Sequence, residues 1–461
     1  MKIPRILLTA GASGSGKTLI TCGILKALTN RGQKSASFKC GPDYIDPMFH
    51  SRVIGTKSRN LDTFFTGESV TRHLLIENSR DCDIAVMEGV MGYYDGVGGT
   101  TTRASAYDLA CITRTPAILI VNSKGMSVSL CAYVKGFLEY RTDSQIRGVI
   151  FNQMSPMLYP RMKGLVEKEC GVRVLGYVPR VDDCVIESRH LGLVLPGEIP
   201  KLREKLDRLA LILEKSLDME GILALAQSAE ELEEEDLLAQ HPDFSFRLDR
   251  PVRLAVARDD AFCFIYEDNL RLLEEMGAQM VPFSPVRDAH LPEQIQGVLL
   301  FGGYPELYGK ALERNAALRR ELSEALRNGL PCIAECGGFM YLHEFMEDMD
   351  KELCQGVGVI PGKAFRTPRL QRFGYITLRQ RTSVWGEETL GEIPAHEFHY
   401  FDSENCGESF FAEKPESGRG WRCIHGTESL CAGFPHIHYY GNPAFARAFL
   451  QKCAAYERRE P

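Results

Sequence analysis

Residues 5–28 read RILLTAGASGSGKTLITCGILKAL. An apolar, β-prone run gives way directly to a glycine-rich loop, and the loop to a stretch with helical spacing. The loop, Gly11 to Thr18, fits G-x-x-x-x-G-K-[ST] at every fixed position. Between a strand and a helix, such a loop turns successive backbone N–H groups onto phosphate oxygens at a helix N-terminus. Gly11, Gly14 and Gly16 belong to this cradle, Lys17 reaches the β- and γ-phosphates, and the Thr18 hydroxyl ligates Mg2+. The stretch therefore predicts a site for the cofactors ATP and Mg2+ in a doubly wound α/β domain.

Further along the chain, SASFKC, DIAVMEG, AILIVNS, RGVIFNQ and RVLGYVP repeat the near-continuous apolar run between helical stretches, to about residue 190. Strands of that composition belong to a parallel sheet covered on both faces. Ligands bind beyond the carboxyl ends of such strands, and two of these ends carry chemistry. FKCGPDYIDPMFH (38–50) brings Lys39, Asp43, Tyr44 and Asp46, and MEGVMGYYDG (87–96) brings Glu88 and Asp95. Asp46 and Glu88 are candidate Mg2+ ligands beside Thr18, and Lys39 is suited to neutralising a transferring phosphoryl group. Taken singly, each acid would also serve as an N-cap or a surface turn. Asn152, in VIFNQM, is a candidate to hydrogen-bond an adenine edge, or else a turn asparagine.

The 461 residues exceed one core, since domains run to roughly 150 residues. Hydrophobic content of 44% and charged content of 25% are ordinary for a globular chain. A formal charge of −7 offers no bulk attraction to nucleic acid or to anionic lipid. The opening MKIPRILLTAG is too short and too soon interrupted by glycine for a signal peptide, and no apolar run approaches the ~20 residues of a membrane span. Fifteen scattered cysteines, without a CxxC pair, suggest reduced thiols and no structural zinc. The expectation is a cytoplasmic protein without nucleic-acid or membrane partners; a homodimer is left open.

Three segments follow from the patterning: a P-loop domain at 1–195, a helical connector at 196–249 and a second α/β domain at 250–461. The connector is rich in lysine and glutamate, with leucines at helical spacing, and its run EELEEED reads as a solvated face. The turn-rich HPDFSFRLDRP (241–251) marks the boundary. Beyond it VRLAVA, AQMVPF, GVLLFGG and PCIAECGG read as strands, EDNLRLLEEMG and ALERNAALRRELSEALRNG as helices, and GYITLRQR and AHEFHYF as an antiparallel part.

In PCIAECGGFMYL (331–342), Cys336 stands where a strand turns into a helix. Such an elbow exposes the sulfur, a helix N-terminus favours the thiolate, and Gly337 and Gly338 leave room for the turn. LLFGGYPELY ends another strand at Gly302 and Gly303, so the N–H groups of Gly303 and Gly337 are candidate oxyanion donors. A base comes from AGFPHIHYYGNP, which offers His436 and His438 on a late strand. Each feature has a plainer reading, a core cysteine or a strand histidine; together they predict a thiol nucleophile.

The motifs GASGSGKT, FKCGPDYIDP, MEGVMGYYDG, FGGYPELY, ECGGFMYL, HEFHY and PHIHY, in this order, resemble the cobyrinate a,c-diamide synthase family across nearly the whole chain. The resemblance implies a dethiobiotin-synthetase-like P-loop domain followed by a class I glutamine amidotransferase domain. It implies that Cys336 attacks glutamine, with His436 as base and His438 as runner-up. His438 stands where many amidotransferases of this class carry the glutamate of a triad, which leaves the third member open. It further implies that ATP activates the a- and c-acetate carboxylates of a corrinoid as acyl phosphates, which ammonia then converts to amides. Asp43, Tyr44, Glu88 and Asp95 match positions implicated in that chemistry, and HEFHY matches a motif expected at a domain interface or macrocycle site. Nickel-sirohydrochlorin and hydrogenobyrinate a,c-diamide synthases show similar motifs. A P-loop switch carrying an inactive amidotransferase-like module is the alternative from another class.

Overall fold

The structure, a computed structural model, describes residues 1–181, 184, 188–189, 192–193, 201–234, 237, 241–387 and 389–456. It divides into two compact units, Met1–Glu235 and Asp236–Pro461.

The first unit is built on seven strands: β1 (Arg5–Ala10), β2 (Ser35–Cys40), β3 (Lys57–Leu61), β4 (Ile84–Glu88), β5 (Ala117–Asn122), β6 (Ile146–Asn152) and β7 (Arg173–Val178). All pair in parallel, in the order β3-β2-β4-β1-β5-β6-β7. Six are the apolar runs expected from the sequence. β3, with the sequence KSRNL, escapes that reading because an edge strand needs no apolar run. It makes the strand that ends at Glu88 the fourth and the one that ends at Asn152 the sixth. The register places Lys39 of β2 and Leu8 of β1 on either side of Glu88. Glu88 and the P-loop thus leave the sheet side by side, at its centre.

Helix α1 (Lys17–Asn30) follows the loop and packs against the helix Leu202–Ser216, whose Leu206, Leu209 and Leu213 are buried. Gly23 permits the close approach, since a Cβ there would come within 2.4 Å of Leu213 Cδ1. Arg31 ties the two helices at their ends, 2.7 Å from Glu214. This helix and the next, Met219–Gln227, belong to the first unit; residues 235–236 and 238–240, at the end of the acidic run and beyond it, lie outside the described residues. Between them and β7, β8 (Ser188–Arg189) and β9 (Gly192–Leu193) form a short antiparallel ladder.

The second unit holds β10 (Val252–Ala257), β11 (Ala278–Phe283), β12 (Gly297–Leu300), β13 (Cys332–Glu335), β14 (His343–Glu347), β15 (Leu353–Gln355), β16 (Ile360–Gln380), β17 (Glu392–Ser403), β18 (Phe410–Glu413), β19 (Gly420–Cys423), β20 (His425–Gly426), β21 (Leu430–Gly433) and β22 (His436–Ile437). One sheet runs β11-β10-β12-β13-β21-β20, parallel except for its last pair. The other runs β15-β14-β16-β17-β22 and is antiparallel apart from β14 with β16. Leu318, Leu322 and Leu326, on the helix Ala316–Arg327, join Leu300, Ala334 and Phe339 in one buried cluster. Each such side chain adds roughly 1.5–3 kcal/mol of burial. The single helix expected over ALERNAALRRELSEALRNG is two, Gly309–Arg314 and Ala316–Arg327. Asn315 breaks it, because its amide donates to the carbonyls of Pro285 and Asp288 at 2.9 and 2.8 Å.

Candidate active sites

In the first unit the P-loop closes over the end of β1. Gly16 has φ 93°, a left-handed conformation that costs an L-residue with a side chain energy and glycine none. A Cβ on it would also lie 2.3 Å from Asn152 Nδ2. That amide group donates to Ser15 O at 2.8 Å, and Asn152 Oδ1 accepts from Gln153 N–H at 2.9 Å. Asn152 thus braces the loop from below. Gly11 packs against Tyr133, whose hydroxyl leaves no space for a Cβ.

Lys17 folds back over the loop and donates to Ala12 O (3.1 Å) and Met91 O (2.5 Å). Burial and the nearby Lys39 ammonium push Lys17 down to about 8, while Glu88, Asp46 and Asp95 act in the other direction. The Thr18 hydroxyl donates to Glu88 Oε1 at 2.6 Å and lies 3.3 Å from Asp46 Oδ2. Lys39 Nζ sits 2.6 Å from Asp46 Oδ2 and 2.8 Å from Glu88 Oε1. Burial alone would discharge Lys39; Asp46 and Glu88 reverse this and keep it an ammonium. Burial likewise opposes the Glu88 charge, but Lys39 and His50 outweigh it and hold the carboxylate below its ordinary range. Asp46 goes the other way: burial and the neighbouring Asp43 raise it more than Lys39 lowers it.

Asp43 and Asp95 order the rim. Asp43 Oδ1 accepts from Ile45 N–H (2.7 Å) and Asp46 N–H (3.2 Å), fixing the turn that leads through Tyr44 into the helix Ile45–Met48. Asp95 Oδ2 accepts from Gly92 N–H at 2.9 Å in the loop after β4. His50 is a member that sequence reading did not single out. Its Nε2 lies 3.5 Å from Glu88 Oε2 and its Nδ1 is 3.1 Å from Ser37 Oγ. The only signal for it was its place at the end of FKCGPDYIDPMFH.

Among the described residues no three His, Cys, Asp or Glu side chains form a metal cage. Mg2+ asks for less, because it keeps several waters and takes one or two carboxylates together with substrate phosphates. The Thr18 hydroxyl, Glu88 Oε1 and Asp46 Oδ2 are hard oxygen donors of that kind, and Lys39 Nζ is the cation that now contacts both carboxylate oxygens.

In the second unit β13 ends at Glu335 and the helix Gly337–Tyr341 starts at once, so Cys336 alone changes the direction of the chain. Its φ is 48° and its ψ −103°, a strained conformation of order 1–3 kcal/mol for a non-glycine residue. Two backbone bonds hold it, from Cys336 N–H to Gly433 O (2.8 Å) and from Met340 N–H to Cys336 O (2.9 Å). Gly338 makes the turn sterically possible, because a Cβ there would stand 2.0 Å from Leu300 O of β12. Gly303 N would lie only 3.1 Å from a Cβ on Gly337, so the two predicted oxyanion donors are neighbours.

His436 comes from β22, which pairs with β17, and reaches the elbow because β21 lies beside β13 with Gly433 opposite Glu335. A Cβ on Gly302 would come to 2.6 Å from His436 Cε1. Burial pushes the imidazole down, but the hydrogen-bonding neighbours Cys336 and Glu335 more than reverse this and raise it to about 9. His436 Nδ1 is 3.6 Å from Glu335 Oε2. His438 faces Tyr266 and Tyr440, with ring centroids 5.2 and 6.1 Å away, and burial lowers it to about 4. The HEFHY segment lies on β17, where His396 is opposite His436. His399 stacks on Phe434 at 4.0 Å and meets Glu397 at 3.0 Å. Glu335 was overlooked in the sequence; an acid at the end of a four-residue buried strand was the available signal.

Residues 6–193 match the CobQ/CobB/MinD/ParA nucleotide binding domain, and residues 253–442 match the CobB/CobQ-like glutamine amidotransferase domain. Over its full length the chain is similar to proteins named cobyrinate a,c-diamide synthase. That of Caldanaerobacter subterraneus subsp. tengcongensis is 36% identical over 468 residues, covering 99% of this chain and 100% of that protein. Those of Clostridium tetani and Thermoplasma volcanium are each 36% identical, covering 97% and 100% of this chain and 99% of either protein. The chain belongs to the cobyrinate a,c-diamide synthase family.

Proposed function

We propose that the chain is an ATP- and glutamine-dependent ligase that amidates the a- and c-acetate carboxylates of cobyrinate in cobalamin biosynthesis. The observation that carries this reading is one polypeptide holding both a Cys336–His436 elbow and a P-loop facing Lys39, Asp46 and Glu88.

Carboxylates resist ammonia, because hydroxide is too poor a leaving group; phosphate is a good one. In the first unit a substrate carboxylate oxygen attacks the γ-phosphorus of ATP, the bond to the β,γ-bridging oxygen breaks, and ADP leaves. The P-loop N–H groups and Lys17 hold the phosphates, and Lys39 faces the negative charge that builds up. Thr18, Glu88 and Asp46 would hold Mg2+, which when bound would neutralise phosphate charge. By the family resemblance, Asp43, Tyr44 and Asp95 serve the carboxylate half of this step. Ammonia adds to the acyl carbon, phosphate departs, and the surplus proton goes to solvent.

The ammonia comes from the second unit. Cys336 thiolate attacks the side-chain carbonyl carbon of glutamine, with the oxyanion held by the N–H groups of Gly303 and Gly337. The C–N bond breaks as the His436 imidazolium gives its proton to the departing ammonia. The imidazole then takes a proton from water, whose oxygen attacks the thioester, and glutamate leaves as the thiol is restored. A cytoplasmic setting suits reduced cysteines and supplies ATP and glutamine.

The test is mass spectrometry of the product with cobyrinate, hydrogenobyrinate and nickel-sirohydrochlorin offered in turn. Two amides on cobyrinate, with ADP and glutamate released, are expected. Cys336→Ala should lose glutamine-dependent product and keep ammonia-dependent product, whereas Lys17→Ala should lose both. No amide on any of the three macrocycles would sink the reading, and preference for another macrocycle would reassign the substrate.

A further inference from the structure

A histidine that trades a proton with a thiol needs its other ring nitrogen held, or the tautomer and the ring angle are left to chance. Among the described residues, the acid that lies beside His436 is Glu335. Glu335 is the residue immediately before the nucleophile, and its side chain leaves the end of β13 toward β22. Its Oε2 lies 3.6 Å from His436 Nδ1, and both side chains are almost entirely shielded from water, with 4% and 3% exposure. Neither Glu335 oxygen has a protein donor at ordinary hydrogen-bond geometry among the described residues. The groups that face it are the His436 ring and the Ile437 N–H.

A carboxyl enclosed in this way costs several kcal/mol unless a cation answers it. The main chain makes it costlier to move, because Glu335 and Cys336 are consecutive and Gly433 pins both by pairing opposite one and accepting from the other. Any shift of the acid would drag the sulfur.

We propose that Glu335 is the positioning residue of the glutaminase site: its carboxylate receives His436 Nδ1–H and so points Nε2 at the Cys336 sulfur. The inference rests on the glutaminase reading above. The 3.6 Å separation belongs to the resting site, and catalytic hydrogen bonds of this kind tighten once charge develops. Sequence position and spatial position are decoupled here: an acid next to the nucleophile in the chain serves the histidine 101 residues later, counting from 335 to 436. Burial pushes Glu335 above the usual carboxylate range and the His436 imidazolium pulls it back, as expected of a pair that shares one proton. The other titratable groups facing the pair are Cys336 and His396 beside the imidazole, and Tyr439 and Cys431 beside the carboxyl.

The test compares Glu335→Gln and Glu335→Asp with the wild-type full-length chain, assayed with glutamine and, separately, with ammonia. For Glu335→Gln the kcat for glutamine hydrolysis should fall on the order of 100-fold, with KM for glutamine nearly unchanged and ammonia-dependent amidation intact. The alkaline limb of its glutaminase pH profile should move to lower pH, because the imidazolium has lost its counter-charge. Glu335→Asp, which keeps the charge, should recover part of the rate. Glutaminase within about twofold of wild type in Glu335→Gln, or an unmoved alkaline limb, would overturn the assignment. If neither variant folds, the wild-type protein decides: above a pH of about 9, where the His436 ring is neutral, histidine-ring nitrogen-15 shifts, assigned against His436→Ala, should show its one proton on Nδ1, and a proton on Nε2 overturns the assignment. A wild-type chain that released no glutamate at all would instead refute the glutaminase reading itself.

Discussion

Gly338 shows how little latitude the proposed nucleophile, Cys336, has. Its backbone passes so close to β12 that a methyl group would sit 2.0 Å from Leu300 O. The atom in the way is a carbonyl oxygen inside a parallel ladder, which cannot turn aside as a side-chain tip could. Gly338→Ala must therefore push the first turn of the helix Gly337–Tyr341 off the strand and carry Cys336 with it. Overpacking of this kind costs about 1–3 kcal/mol, and a misplaced nucleophile loses on the order of 100-fold in rate. Thermal unfolding of the variant should show the loss of stability, and paired assays should show glutamine-dependent turnover collapsing while ammonia-dependent turnover persists. In the other unit the decisive residue is Glu88, whose carboxylate meets Thr18, Lys39 and His50 at once. The sequence marked it as an acid at a strand end; it could not show that Thr18 and Lys39 would share one of its oxygens.

At the level of elements, the strand–loop–helix of residues 5–30 was legible because everything that defines it is local: an apolar run, glycines at fixed offsets, then helical spacing. The underside of that element was not legible. Asn152 sits at the end of β6, two strands away from β1, and its amide group is committed to Ser15 O. Removing a buried bond of this sort costs about 1–3 kcal/mol. Asn152→Ala should therefore raise KM for ATP by roughly tenfold, by loosening the loop, and leave the preference for ATP over GTP unchanged. Competition kinetics with the two nucleotides would check this; a shifted preference would instead make the amide a reader of the adenine edge. The edge strand β3 and the helix break at Asn315 were missed for related reasons. One is polar because only its neighbours on one side bury it, and the other depends on carbonyls at Pro285 and Asp288.

For the whole molecule, two chemistries in one chain should answer differently to pH. His436 is raised from an ordinary value of 6.5 to about 9. Because it is raised, its protonated form and the stability it adds are fully present below about 6.5 and are lost as pH climbs through about 9. In the proposed glutaminase step, the imidazolium is beyond that point no longer there to hand a proton to departing ammonia. Glutamine-dependent amidation should fall through this window relative to amidation supplied with ammonia: both share Lys17, which is lowered to about 8, and only the second gains from a more abundant free base. Initial rates with each nitrogen source across the alkaline range give the comparison, and parallel declines would place the titrating group in the ATP-dependent unit.

The sequence alone determined the order of the two α/β units, the P-loop, the cysteine elbow and the family, because each is written in residues close together along the chain. It could not choose among acids and histidines of equal chemical merit. Whether His436 or His438 meets the sulfur, and which acid meets the histidine, depends on β13 lying beside β21 and β22 lying beside β17. Those registers are set by burying whole sheet faces, a long-range condition to which dozens of side chains contribute and which no short stretch encodes.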